Sequence, residues 1–292
     1  MRMDESRRSE TAEYPCRGRD DAPLLSVKGL SVTFTQYDRG LRRKLLHPIT
    51  DLSLQVQSGE ITALAGASGS GKSLLAHAVL GILPYNAVCS GSMEYQGELL
   101  TEKKLKNLRG KKIALIPQGV SGLDPLMKVG AQIRGGRKDR QSADRCRWLL
   151  ERYGLPPETE ELYPFELSGG MARRVLIAAA MMEEPELVIA DEPTPGLDLQ
   201  TARRVMGHFR EMADQGTGVL LITHDLELAM ETADRVLIFS EGSVAEELQM
   251  ESEPGSGRRR LRGVPRHPYT KRLLSSVPGV GTSWSILAGE RL

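Results

Sequence analysis

The chain has 292 residues, 40% of them hydrophobic and 26% charged, a balance that excludes a disordered or fibrous protein and fits one large domain with small appendages. Its formal net charge of +1 supplies no global field for nucleic acid. Cys16, Cys89 and Cys146 form neither a CxxC pair nor a zinc-ligand set with histidine, so they read as reduced bystanders in the cytosol.

Residues 1–22 lack the apolar core of a secretory signal and read as a disordered extension. No later segment reaches the roughly 18 uninterrupted apolar residues of a membrane span, so any membrane role must come through a partner. "LLSVKGLSVTF" (24–34) and "ITDLSLQV" (49–56) alternate apolar and polar side chains, which predicts half-buried antiparallel strands. "ITALAGA" (61–67) is a short apolar run ending in a glycine-rich turn, and "KSLLAHAVLGIL" (72–83) then has helical spacing.

Further apolar runs of strand length follow at "KIALIPQ" (112–118), "ELVIAD" (186–191), "GVLLITH" (218–224) and "RVLIFS" (235–240). Continuous apolar strands separated by helical stretches predict a parallel sheet covered on both faces, an α/β fold. Between the first and second of these runs, over about 121–180, the only periodicity is helical, which predicts a helical subdomain inserted between core strands. After Gly242 the pattern decays, and 251–292 reads as a basic linker, "GRRRLRGVPR" (257–266), plus a short tail with a helix candidate at "YTKRLLSS".

The chemistry concentrates at the strand ends. "GASGSGKS" matches GxxxxGK[ST] between a strand and a helix, running from Gly66 through Ser68, Gly69, Ser70 and Gly71 to Lys72 and Ser73. Its glycines let backbone N–H groups curl inward at phosphate oxygens, and the helix N-terminus adds positive partial charge. Lys72 is placed to reach β and γ phosphates, and the Ser73 hydroxyl to ligate magnesium. "ELVIADEP" delivers Asp191 at the carboxyl end of a strand, where it can hold magnesium through water. Glu192 points the other way and suits a separate task, orienting or deprotonating an attacking water. Gln118 and His224 end two more strand runs and should arrive at the same edge. Gln118 could complete the magnesium shell or position water, and His224 could hydrogen-bond the γ-phosphate. "LSGGM" then places Ser168, Gly169 and Gly170 at a second helix start suited to an anion, with no room in the site just assembled. A helix projecting from the insertion would serve another molecule's nucleotide, splitting one site between two chains.

With these motifs in order, the chain from about Leu24 to Val244 resembles the nucleotide-binding subunits of ABC transporters. The resemblance implies a P-loop NTPase core of the ABC type: a mixed sheet with parallel core strands, an antiparallel β-region and a helical signature subdomain, spanning 23–250. It implies ATP and Mg2+ as ligands and a head-to-tail dimer that sandwiches ATP between the P-loop of one subunit and the signature of the other. Ser168, Gly169 and Gly170 would then contact the γ-phosphate held by the partner, and Asp198 in "TPGLD" would be the dimer-contact aspartate. An aromatic ring ahead of the first long loop stacks on adenine in that family, which designates Phe34, with Tyr37 in reserve.

"LYPFELSGGM", "LGILP" and "HPYTKRLL" are similar to the peptide and nickel importers, with a lean towards nickel or metal-chelate transport. That subfamily implies a second ATPase subunit, two membrane permeases, an extracytoplasmic solute-binding protein, and a place at the cytoplasmic face of the cell membrane. Pro195 and Gly196 depart from the family pattern, and "VLIAAAMM" lacks an arginine common after the signature. Two other readings stand beside this one: a soluble ABC-type ATPase that uses the arginine-rich linker on nucleic acid or ribosomes, and a regulatory subunit that binds ATP without efficient hydrolysis.

Overall fold

The computed structural model describes residues 22–38, 42–252 and 259–277. The expected disordered extension lies almost wholly outside them. Strand β1 (Leu25–Asp38) pairs antiparallel with β2 (Arg42–Val56), setting Val32 opposite Ile49 and Phe34 opposite Leu46. β3 (Ile61–Ala65), buried at every position, leads through the glycine loop into α1 (Lys72–Val79). β4 (Ala87–Tyr95) and β5 (Glu98–Leu99) complete a four-stranded antiparallel sheet of order β2-β1-β4-β5. Helix α2 (Glu102–Leu108), capped by the Thr101 hydroxyl, precedes β6 (Ile113–Ile116).

The inserted segment carries α3 (Val129–Ile133), α4 (Arg140–Arg152) and α5 (Gly169–Ala180). The chain then returns through β7 (Leu187–Asp191), α6 (Leu199–Asp214), β8 (Gly218–Thr223), α7 (Leu226–Thr232) and β9 (Arg235–Ser240). It closes with β10 (Ser243–Ser252), β11 (Arg259–Arg262) and α8 (Pro268–Ser275). The second sheet has the order β11-β10-β9-β3-β8-β7-β6. Its strands β9, β3, β8, β7 and β6 are parallel, so β3, β8 and β7 end side by side, with Ala65 opposite Thr223 and Asp191 opposite Ile222.

Period-two alternation divides the core. Ala63, Ala65, Val188, Ala190 and Leu221 face one apolar cluster with α3 to α7, while Leu64, Ile189, Leu220 and Ile222 face another with α1 and the antiparallel sheet. Both faces are therefore covered, which is why the parallel strands read as unbroken apolar runs. Cys89 and Cys146 are free thiols, and Cys16 lies outside the described residues.

One expectation changes at the C-terminal end. Arg259–Arg262, read as solvated linker, is an edge strand paired with β10, and α8 buries Thr270 and Leu274. The guanidinium of Arg259 pairs with Asp234 at 2.7 Å and that of Arg260 with Glu251 at 2.9 Å, so the arginines are bound to carboxylates of this chain. Residues 253–258 of that stretch lie outside the described ones.

Asp234 is the joint of this region. Its carboxylate accepts from the Ile61 amide at 2.8 Å, from Arg210 at 2.7 Å and from Arg259, tying the start of β3 to α6 and β11. Asp234→Ala takes the acceptor from the Ile61 amide and one carboxylate partner from each of two partly buried guanidiniums, which keep their other acceptors, and is expected to cost about 2–4 kcal/mol. Urea unfolding monitored by circular dichroism reads this as a lower midpoint at an unchanged slope.

Candidate functional site

The glycine loop is shaped by its neighbours. A Cβ on Gly66 would lie 2.5 Å from the Phe239 carbonyl oxygen, so β3 can leave the sheet beside β9 only without a side chain there. Gly71 caps α1 at φ 100° with Pro48 of β2 packed against it, a conformation that an L side chain resists. Among the described residues the amides of Gly69, Gly71, Lys72 and Ser73 have no backbone acceptor, as at any helix start. They form a cluster of donors available to an anion.

Lys72 is buried, and its ammonium donates to the carbonyls of Gly66 at 3.0 Å and Ala67 at 2.7 Å and to the Ser70 hydroxyl at 3.4 Å. Burial pushes its pKa down, against the opposing pull of the Glu192 and Asp191 carboxylates. Across β8, the Ser73 hydroxyl donates to Asp191 Oδ1 at 3.0 Å. Asp191 is only 3% exposed, and burial raises its carboxyl above the usual aspartate range; the Ser73 hydrogen bond opposes that shift and the neighbouring Glu192 adds to it.

Glu192, 5% exposed, takes a left-handed φ of 49°, a conformation that costs a non-glycine residue free energy and recurs at functional positions. Its amide donates to the Ile222 carbonyl at 2.8 Å, which fixes the turn after β7. Its Oε2 lies 2.7 Å from His224 Nδ1 and 3.5 Å from the Thr223 hydroxyl. With the carboxylate ionised, the ring must carry a proton on Nδ1 to make that bond. Asp191 and Glu192 thus point to separate partners, one to the loop and one to the end of β8. Thr223 escaped the sequence analysis, although "LLITH" already placed it beside His224.

Gln118 lies two residues beyond β6, exposed, and its backbone carbonyl accepts a hydrogen bond from Arg173. No hydrogen bond among the described residues joins its side chain to Lys72, Ser73, Asp191, Glu192 or His224. Phe34 is half-buried against the apolar cluster of the antiparallel sheet, on a ladder whose second strand touches the glycine loop through Pro48. Tyr37's side chain lies outside the described ones.

The signature residues form a second group. Ser168 caps α5, its Oγ accepting from the Met171 amide at 3.2 Å, and Gly169 follows in the open. A Cβ on Gly169 would meet nothing within 4 Å, and one on Gly170 would touch only Leu197 and Gly196, at 3.5 and 3.6 Å. Neither glycine has a positive φ, so this chain's own packing does not demand them. Leu197 leads to Asp198, which is exposed and caps α6 through the Thr201 amide at 3.0 Å. No hydrogen bond among the described residues joins Ser168, Gly169, Gly170 or Asp198 to the glycine loop, Asp191, Glu192 or His224.

A family model described as ABC transporter matches residues 49–195, from the middle of β2 to the turn after Glu192. The chain belongs to the ABC transporter family. This cassette is 36% identical over 273 residues to the oligopeptide transport ATP-binding protein OppD of Lactococcus lactis subsp. cremoris, covering 89% of this chain and 77% of that protein. It is 37% identical over 270 residues to the dipeptide transport ATP-binding protein DppD of Haemophilus influenzae, covering 87% and 78%. Among solved structures, the dimeric bacterial ABC transporter cassette MJ0796 aligns with a TM-score of 0.68 at 25% identity over 77% of this chain and 98% of that one. The expected fold, with its ABC core, antiparallel β-region and helical subdomain, is therefore the one found.

The raised Asp191 carboxyl sets a pH signature for the ABC cassette. An acid whose folded pKa lies above its unfolded value adds stability below the unfolded value and loses it as pH rises through the folded one. Asp191→Asn removes the buried charge and keeps an acceptor for Ser73. In nucleotide-free, metal-free buffer the variant should unfold at higher urea than wild type at pH 7. The difference should vanish as pH falls below the ordinary aspartate range.

Proposed function

We propose that this chain is an ATP-hydrolysing subunit of an importer for di- or oligopeptides, working in a head-to-tail dimer at the cytoplasmic face of the cell membrane. The observation that carries this reading is the separation of two anion-suited helix starts: α1 with Lys72, Ser73, Asp191 and Glu192 beside it, and α5 with exposed Ser168 and Gly169 and half-buried Gly170. The first group has a cation, an acid–hydroxyl pair and a base for the chemistry of a triphosphate. The second has glycines that its own chain does not require, consistent with room kept for a partner's γ-phosphate.

The loop amides and Lys72 bind the phosphates, the lysine exchanging its carbonyl partners for phosphate oxygens. The oxygen pair Ser73 Oγ and Asp191 Oδ1, 3.0 Å apart, suits Mg2+, which takes few protein ligands beside substrate phosphates. Held by Ser73 and Asp191, such an ion would offset the charge of the phosphates. Glu192 accepts the proton of the attacking water, held in place by His224 and the Ile222 carbonyl. His224 also reaches the γ-phosphate, Gln118 completes the magnesium shell or positions water, and Phe34 stacks on adenine. Asp198 meets the partner subunit while ordering its own helix start.

Two permeases and an extracytoplasmic solute-binding protein complete the assembly. No helix among the described residues is long and apolar enough to cross a membrane. Leu126 and Met127, exposed on the segment after Gln118, offer apolar surface for a permease. Peptide is favoured over the nickel or metal chelate to which the signature leans, because the relatives named above are peptide transport proteins. The ATPase domain begins near 23 and runs beyond the expected 250, since β10 continues to Ser252 and β11 and α8 pack on it; its helical subdomain lies at about 121–180. A role on nucleic acid loses its basis where Arg259 and Arg260 are engaged by Asp234 and Glu251.

Glu192→Gln is expected to keep ATP affinity, to lower turnover by about 100-fold or more, and to accumulate an ATP-dependent dimer in size-exclusion chromatography. Wild-type turnover, or no dimer with ATP, would overturn the assignment of the base. Gly169→Asp separates folding from function: an acid in the first turn of α5 should leave the melting temperature unchanged or raise it, since it favours a helix N-terminus. It should nonetheless abolish the ATP-dependent dimer by repelling phosphate.

A further inference from the structure

Arg173 lies in the second turn of α5 and is 5% exposed. Its guanidinium donates through Nη1 to the Pro117 carbonyl at 2.6 Å and through Nη2 to the Gln118 carbonyl. Its Nε is buried with no acceptor among the described residues. A buried charge left partly unpaired is costly, so stability alone gives little reason to keep it. Burial lowers its pKa while the Asp191 and Glu192 carboxylates act in the opposite direction, which places the guanidinium within reach of their field. One side chain thus joins the helix opened by Ser168 and Gly169 to the segment carrying Gln118.

The planar fork suits the task. Two adjacent carbonyls, of Pro117 and Gln118, take one nitrogen each, fixing the backbone of the segment at the point where it leaves β6. Gln118 itself is exposed, and its side chain direction depends on that backbone.

We propose that Arg173 is a positioning residue: it locks Gln118 to the signature helix, so that a displacement of α5 by a partner's nucleotide is carried to the glutamine of this chain's own site. The inference rests on the function proposed above, but its first readout does not. Arg173→Met, which fills similar volume without donors and removes a buried charge, is expected to fold at least as well as wild type.

In the nucleotide-free full chain, hydrogen exchange at the amides of Leu123 and Asp124, which donate to the Val120 carbonyl and to Gln132 Oε1 where the locked segment ends, should accelerate by about tenfold or more in Arg173→Met and return towards wild type in Arg173→Lys. Turnover should fall by about tenfold with nucleotide affinity unchanged, and the Mg2+ concentration for half-maximal rate should rise. The double variant Gln118→Ala with Arg173→Met should fall no further than Gln118→Ala alone, because both act through one group. Unchanged exchange at Leu123 and Asp124 would overturn the locking role whether or not the chain hydrolyses ATP. An additive double variant would overturn the action through Gln118. A wild-type chain without turnover would sink the functional reading while leaving the exchange result to judge the contact.

Discussion

The hydrogen bond from Ser73 to Asp191 spans the sheet edge, from the first turn of α1 to the last residue of β7, with β8 between them. It exists only because three parallel strands end in register, and it brings a buried carboxylate under the glycine loop. Two adjacent carboxylates, Asp191 and Glu192, are both nearly inaccessible to water, and each would be costly there without a partner. Ser73 serves the first, and His224 with Thr223 serves the second, while the Lys72 ammonium sits in the field of both. The end of β7 and the turn after it thereby give the two carboxylates separate partners.

The glycines of the two helix starts are there for different reasons. Gly66 and Gly71 answer to neighbours within the chain, the Phe239 carbonyl and Pro48. Gly169 answers to nothing within the chain, since a side chain there would stand in open space. A residue that folding does not require, at a helix start beside exposed Ser168, points to a ligand brought from outside. A Cβ on Gly170 would meet Leu197 and Gly196, so this helix start lies beside the loop between Glu192 and Asp198.

Much of this was legible in the sequence because the functional strands are buried on both faces. "ITALA", "LVIAD" and "GVLLIT" stand out as short apolar runs, and the chemistry-bearing residues sit at their ends. β4 was not legible: "AVCSGSMEY" is largely exposed, and its Gly91 is set by the close approach of Gly29, a contact across more than 60 residues of chain. β11 was masked by arginines whose carboxylate partners lie elsewhere in the sequence. Arg173 went unnoticed for the same reason, since its two acceptors precede it by more than 50 positions. What a local pattern conveys is burial and turn chemistry, whereas a polar side chain's partner is fixed only by topology.

The central claim is that nucleotide is consumed in a cleft to which two subunits each contribute a helix start. Specific ATPase activity measured across a dilution series, with the monomer and dimer populations determined by sedimentation in the same buffer, tests it most directly. Activity should follow the dimer fraction and disappear in the monomer. A strictly monomeric preparation with full and constant specific activity would contradict it.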